Sequence, residues 1–258
     1  MHDTKFALRP GTWDELIVGT VFGGEYGDID VAGKTVVDVG AHIGAFSVFA
    51  ALRGARRVLA YEPAEENFRL LVINSAGYPA IEPHRAAVWR SDRVGPALQL
   101  RPSANVTNTG GGSVLACESI CGHAPGHAEG REVGAIAFDD IVESVGTVGL
   151  LKIDAEGSEY PILATSRRLD RVEAIVGEYH HVDRPHASSA AGKVAAIFSA
   201  GRLNRAGLTW LLTNGSLSVI ARPPLHAADA NSRKSPASIA RVGTNWNSVA
   251  EAERVLVP

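Results

Sequence analysis

From Thr35 onward, short apolar runs alternate with longer segments whose apolar positions recur at helical spacing. Thr35-Val-Val-Asp-Val39 is a β-favouring run, Gly40 and Gly44 follow it, and residues 46–52 are apolar in a helical pattern. Together these signals predict a buried strand, a tight glycine turn and a helix. Arg57-Val-Leu-Ala-Tyr61 predicts the next strand. Residues 64–76 predict a helix with Phe68, Leu71 and Val72 on one face and Gly77 as its stop. Further strands are expected within 81–89 and at 98–100, 133–137, 148–153 and 172–176, with helices near 158–163 and over 187–200. Near the end, Thr209-Trp-Leu-Leu-Thr213 and Ser216-Leu-Ser-Val-Ile220 flank Asn214-Gly215, a dipeptide that favours a two-residue hairpin turn.

Strands alternating with helices imply an α/β fold, with a mostly parallel sheet, right-handed crossovers and a C-terminal antiparallel hairpin. Ligands of such sheets bind outside the carboxyl ends of the strands, so chemistry is expected after Val39, Tyr61, Ile153 and Gly177. The chain divides into an N-terminal segment 1–34, a main domain 35–225, and a polar tail 226–258 that ends in a short helix. Within the domain, residues 103–131 are polar and glycine-rich, long enough to act as a lid over a site.

Composition narrows the setting. A formal charge of −3 over 258 residues leaves no basic field for nucleic acid. No apolar run approaches the roughly 18 residues of a membrane span, and the N-terminus lacks the apolar core of a signal peptide. Two cysteines do not make a disulfide framework. The expectation is a cytoplasmic protein that binds neither nucleic acid nor membrane. Arginine outnumbers lysine and alanine is abundant, a bias associated with GC-rich bacterial genomes. Oligomeric state leaves no mark in these features.

The glycine turn is spaced G-x-x-x-G, and His42 stands where a dinucleotide fold has its close-approach glycine. Glu62, about twenty residues beyond the turn, is placed to bind a ribose. An acid before the turn, no pyrophosphate glycine and a ribose acid after the second strand together suggest S-adenosylmethionine. Backbone N–H groups of the turn at Gly40, Ala41, His42 and Gly44 are expected to meet its methionine carboxylate and ribose region. Asp38 is expected to orient the turn or meet the methionine amino group, and Glu62 to accept from both ribose hydroxyls. By fold analogy, Pro63 and the Ala86–Ala87 segment would flank the adenine. The plainer reading has the glycines merely packing a strand on a helix, and Asn67 reads as an ordinary polar helix residue. An NAD-dependent oxidoreductase is the competing enzyme, weakened by the missing middle glycine. A non-catalytic S-adenosylmethionine-binding scaffold is the other alternative.

Asp154, Glu156 and Glu159 follow the strand that ends at Ile153. All three suit a helix N-terminus, but Asp154 sits at the strand end and is a candidate for chemistry, with Glu156 beside it. Lys152 is expected to pair with a nearby acid. Glu178-Tyr-His-His181 follows the next strand, and alternation sends His180 and His181 in opposite directions. A histidine near its ordinary pKa of about 6.5 can take a hydroxyl proton, and His180 is preferred over His181 as that base. Cys117, Cys121, His123 and His127 are all zinc-ligand types, but only Gly122 separates the cysteine pair from the histidine pair, unlike structural zinc sites. No metal is expected to be required.

Several of these stretches resemble one family. Arg9-Pro-Gly-Thr-Trp-Asp14, the glycine turn, Tyr61-Glu-Pro-Ala-Glu-Glu-Asn67, Asn108-x-Gly-Gly-Gly-Ser113 and Leu151-Lys-Ile-Asp-Ala-Glu-Gly-Ser-Glu159 resemble the FkbM family of S-adenosylmethionine-dependent methyltransferases. The resemblance runs from about Phe6 to His181. It implies a class I methyltransferase, with a Rossmann-like sheet, acting on a hydroxyl of a small molecule such as a sugar or polyketide-type natural product. It also implies that Glu25 and Tyr26 belong to a segment covering the cofactor. Asn108 and Ser113 suit turn positions equally well. The loop at 114–131 and the long tail depart from the family pattern.

Overall fold

The computed structural model describes residues 4–26, 28–93, 95–115, 129–178 and 180, and the backbone of three strands at 209–213, 216–220 and 254–256. After strand β1 (Phe6–Leu8) and helix α1 (Asp14–Phe22), strand β2 (Thr35–Val39) is buried along its whole length. Such burial is what a strand covered on both faces requires. Helix α2 (Ala45–Leu52), strand β3 (Arg57–Tyr61), helix α3 (Glu65–Ser75) and strand β4 (Ile81–His84) follow. Strands β5 (Ala87–Trp89), β6 (Ala97–Leu100) and β7 (Arg131–Ala137) form a separate three-stranded sheet in the order β5-β7-β6. The chain then continues through α4 (Phe138–Val145), β8 (Leu150–Ile153), α5 (Glu159–Thr165), a 3₁₀ turn at Leu169–Arg171 and β9 (Ile175–Glu178). The last strands are β10 (Thr209–Thr213), β11 (Ser216–Ile220) and β12 (Arg254–Leu256).

The main sheet has the order β10-β11-β9-β8-β2-β3-β4. Pairing is parallel from β4 through β9 and antiparallel at β11 on both sides. Counted along the chain, the order is that of a doubly wound dinucleotide fold with one strand slotted in antiparallel near the end. This is the Rossmann-like class I methyltransferase sheet, hairpin included. Alternation along β2 sends Val36 into a core shared with α2 and α3, and Val37 and Val39 into a second core with Phe138, Ile141 and Ile162. Strand order reverses between β2 and β8, which opens a crevice at their carboxyl ends.

Several expectations need correcting. The single strand within 81–89 is two, β4 and β5, in different sheets. Pro83 cannot donate to a ladder, and β4 accordingly occupies the sheet edge. The buried face of α3 is Asn67, Leu70, Leu71 and Asn74, while Val72 is exposed. Two asparagines replace apolar residues on that face because each meets backbone polar groups. Asn74 accepts from Ala7 N–H at 2.7 Å and donates to the Ile43 carbonyl at 2.8 Å. Helix α4 went unrecognised in the sequence, although Phe138, Ile141 and Val142 bury one face. At the tail's end, residues 254–256 are not helical but pair with β1 as a parallel strand, register deciding over local propensity. The expected helix over 187–200 and the Asn214-Gly215 turn lie outside the described residues.

Candidate active site

The crevice at the strand ends is a cleft of about 1250 Å³. Its floor is Gly40, Ala41 and His42, with Glu62 and Pro63 on one side and Lys152, Asp154, Glu156, Glu178 and His180 on the other. Ala87 and Val88 line the side beyond Pro63. Trp13, Ile17, Glu25 and Tyr26 of the N-terminal segment line it too, with Ser103–Gly112 of the glycine-rich insertion opposite. Asp38 and Gly44 do not reach the cleft.

The glycine turn is built differently from expectation. Gly40 and Ala41 N–H both donate to the Tyr61 carbonyl, at 3.0 and 2.9 Å, and Gly44 N–H donates to the Ala41 carbonyl at 2.8 Å. His42 N–H donates to Glu62 Oε2 at 2.9 Å. Three of these donors hold the turn against β3 and Glu62 and the fourth, from Gly44, closes the turn on itself, so none points free at a ligand. Gly40 has φ +77°, and a Cβ there would stand 1.9 Å from the Asp154 carbonyl oxygen. Its first task is to let the ends of β2 and β8 approach. Gly44 instead packs α2 on α3, since its Cβ would meet Leu71 Cδ1 at 2.8 Å.

Asp38 is wholly buried behind the turn. It accepts from Ser47 Oγ at 2.6 Å and lies 3.3 Å from Lys152 Nζ. Lys152 Nζ donates on to the Gly40 carbonyl at 2.6 Å. Asp38 thus lies behind the turn and does not line the cleft. Burial opposes the charge on Lys152, and the carboxylates of Asp38 and Asp154 outweigh it, so its pKa is raised.

Glu62 accepts from Ala64 N–H at 2.8 Å and from Asn67 Nδ2 at 3.3 Å through Oε1, and from His42 N–H through Oε2. Burial pushes its pKa up against these hydrogen bonds. Two carboxylate oxygens offer about four acceptor sites, so Oε2 keeps capacity for a hydroxyl donor. The buried His42 Nδ1 has no hydrogen-bond partner. Asn67 is no ordinary helix residue: its Nδ2 also donates to the Thr109 carbonyl at 3.0 Å.

A second network closes the roof. Arg9 grips Asp14 with Nε and Nη2, each at 2.9 Å. Asp14 Oδ1 also accepts from Thr109 Oγ1 at 2.7 Å, and Thr109 Oγ1 lies 2.8 Å from His42 Nε2. Burial opposes the charge on Asp14, but the hydrogen bonds from Arg9 and Thr109 outweigh it and hold its pKa low. His42 is the reverse case: burial drives its pKa down to about 4, so the ring is neutral. Trp13 N–H donates to the Thr107 carbonyl at 2.9 Å, and Ser113 Oγ to the Glu156 carbonyl at 2.6 Å. Asn108 keeps its turn role, accepting from Gly111 N–H at 3.1 Å. Tyr26 stacks edge-on against Phe46 at 5.0 Å and is buried.

At the other end of the cleft, Glu159 is almost fully buried at the start of α5, where it accepts from Ala155 N–H at 2.7 Å and Gly157 N–H at 2.9 Å. It lies 3.2 Å from His180 Nδ1. Around His180 stand Glu156 (3.4 Å from Nε2), Glu178 (3.7 Å from Nε2) and Asp154 (4.0 Å from Nδ1). The expected base with an ordinary pKa is not found. Burial alone would lower the His180 pKa, but Glu159, Glu156 and Asp154 lift it to about 10, and the ring carries a proton at neutral pH. Burial and the neighbouring acids raise the pKa of Glu156, on a backbone of φ +48°, to about 7. Glu25 is likewise lifted to about 7 by burial, Glu178 and Asp154. His181 and the Cys117, Cys121, His123 and His127 cluster lie outside the described residues.

Residues 38–204 match the family profile of the methyltransferase FkbM domain. The 31-O-demethyl-FK506 methyltransferase FkbM of Streptomyces tacrolimicus is 30% identical over 190 residues, covering 64% of this chain and 70% of that protein. Among solved structures, a methyltransferase FkbM from Methylobacillus flagellatus KT is 17% identical with a TM-score of 0.39, over 65% of this chain and 37% of that one. A SAM-dependent methyltransferase from Aquifex aeolicus is 15% identical with a TM-score of 0.35, over 76% of this chain and 86% of that one. No described helix is long and apolar enough to cross a membrane.

Proposed function

The chain belongs to the FkbM family of S-adenosylmethionine-dependent methyltransferases, and from that premise we propose that it methylates a hydroxyl oxygen of a small molecule, of sugar or polyketide type. The observation that carries this reading is one cleft joining Glu62 and the glycine turn to the acid- and histidine-bearing ends of β8 and β9. The Streptomyces relative is a 31-O-demethyl-FK506 methyltransferase, and its O-methylation supports an oxygen acceptor here.

The residues present fit the cofactor. Spare capacity on Glu62 Oε2 offers an acceptor for a ribose hydroxyl. Pro63 and Ala87 offer apolar surface for the adenine, and Tyr26 on Phe46 closes the methionine side. S-adenosylmethionine supplies an electrophilic methyl group on a positively charged sulfur. The chain must align an acceptor oxygen with that methyl, at about 3–3.5 Å, and receive the hydroxyl proton. Glu156, with a pKa near 7, is tuned to accept that proton on its carboxylate. Asp154 orients the acceptor, and His180 stands among the carboxylates of Glu156, Glu159 and Glu178. Positioning supplies most of the rate, with proton transfer adding roughly 10²–10⁴-fold.

A second reading, an amine acceptor, is favoured by the surplus of carboxylates at Glu25, Asp154, Glu156 and Glu178. Incubation with methyl-labelled cofactor and matched hydroxyl and amine acceptors separates the two. Label on oxygen supports the proposal, and label only on nitrogen overturns it. Glu62→Ala is expected to weaken S-adenosylhomocysteine binding by about 2–3 kcal/mol, because a charged hydrogen-bond acceptor is lost. Unchanged affinity by calorimetry, with an unaltered melting curve, would place the ribose elsewhere.

A further inference from the structure

Three side chains at the acceptor end have more to do than orient a substrate. Asp154, Glu178 and His180 each offer one ligand atom, and these atoms lie within 4.8 Å of one another. Ligand atoms sharing one small divalent ion at about 2.1 Å stand about 3.0–4.2 Å apart. His180 Nε2 is 3.7 Å from Glu178 Oε2 and 3.4 Å from Glu156 Oε2. Those two gaps are too long for good hydrogen bonds and match the spacing of atoms around an ion, while Asp154 Oδ1 lies 4.0 Å from Nδ1 on the other side of the ring.

A separate feature prepares the imidazole. His180 Nδ1 lies 3.2 Å from Glu159, which is 1% exposed and is itself held by the Ala155 and Gly157 N–H groups. A carboxylate behind one ring nitrogen fixes the tautomer and turns the other nitrogen outward as a ligand, the usual support of a metal-binding histidine. The side chains of Asp154, Glu178 and His180 are 29%, 40% and 24% exposed, so an ion could reach all three from the cleft. The charges agree. Glu25, Asp154, Glu156, Glu159 and Glu178 surround the spot, and Lys152 Nζ, 3.9 Å from Asp154 Oδ2, lies closer to Asp38, at 3.3 Å, and to the Gly40 carbonyl, at 2.6 Å.

We propose that Asp154, Glu178 and His180 bind a single divalent metal ion, with Glu156 beside it, at the acceptor end of the cleft. Two carboxylates and one imidazole suit Mn²⁺ or Zn²⁺. The ion's task rests on the methyltransferase reading: it would lower the pKa of an acceptor hydroxyl bound to it.

The test uses the full chain, dialysed against chelator and then titrated by calorimetry with Mn²⁺, with Zn²⁺ and, separately, with S-adenosylhomocysteine. One Mn²⁺ or Zn²⁺ per chain is expected, with His180→Gln and Glu178→Gln each weakening it at least about tenfold while S-adenosylhomocysteine affinity changes less than about twofold. Absence of saturable uptake of either ion overturns the site. So does uptake equal to wild type in the Asp154→Asn, Glu178→Gln, His180→Gln triple variant, since such an ion sits elsewhere, for example at Cys117, Cys121, His123 and His127. Should that variant not fold, Mn²⁺ broadening of the His180 ring resonances in the wild-type chain decides: broadening supports the site, and sharp resonances at saturation overturn it. Loss of S-adenosylhomocysteine binding alone would count against the methyltransferase reading and leave the ion result standing.

Discussion

Gly40 shows how one residue can look like a ligand contact and yet be a backbone requirement. Its φ of +77° and the 1.9 Å gap from a built Cβ to the Asp154 carbonyl mean that any side chain must push β8 away from β2. Gly40→Ala is therefore expected to lower the melting temperature by about 6–12 °C, on a cost of about 3 kcal/mol, with cofactor affinity falling as a consequence. A normal melt with lost S-adenosylhomocysteine binding would restore the direct ligand role. Glu62, His180 and Asp38 make the same point about chemistry. Their identities could be read in the sequence, but their tasks depended on partners far along the chain. Glu159 was legible as a helix N-terminal acid, and only the fold shows it turned toward His180.

At the level of elements, α1 and the segment around Thr109 are tied together through Asp14, and to the turn through His42. Asn67 extends the tie to Glu62. The roof and the expected ribose acid thus share one polar network. Thr109→Val keeps the shape and removes the hydroxyl, leaving buried Asp14 and His42 each short of a partner. An unsatisfied buried polar group costs about 1–3 kcal/mol. Amide exchange over residues 101–113 is expected to quicken by at least about tenfold in this variant, with S-adenosylmethionine affinity falling several-fold. Unchanged exchange there would show that the roof is held by packing alone. Asp14, His42, Glu62 and Asn67 each stood in a recognisable stretch, but the tie that joins them through Thr109 was not visible beforehand, because a threonine in a glycine-rich loop carries no periodic signal.

For the whole molecule, the buried neutral His42 makes stability depend on pH. Its folded pKa of about 4 lies below the ordinary 6.5. Between those values the unfolded chain binds more protons, so stability is present above about pH 6.5 and is lost as pH falls toward 4. The slope from this residue is at most about 1.4 kcal/mol per pH unit. His42→Asn, which tolerates the residue's φ of +52°, is expected to flatten that part of the stability curve measured by denaturant titration. An equal slope in wild type and variant would assign the acid sensitivity to other groups.

The amino-acid sequence alone determined the succession of elements. Strands 35–39, 57–61, 209–213 and 216–220 fall where their apolar runs and turn residues predict. Burial of a run, the period of a helix and the torsional freedom of glycine are properties of neighbouring residues, and a linear reading captures them. The family was legible for the same reason, since its motifs are contiguous. Whatever joins distant residues only the tertiary structure decided. The split of 81–89 between two sheets, the pairing of β12 with β1, the spending of the turn's N–H groups on Tyr61 and Glu62, and the four acids around His180 all belong here. Hydrogen bonds and charge interactions are set by distance in space, and a side chain's pKa by burial and by charges from several elements. No window along the chain contains either.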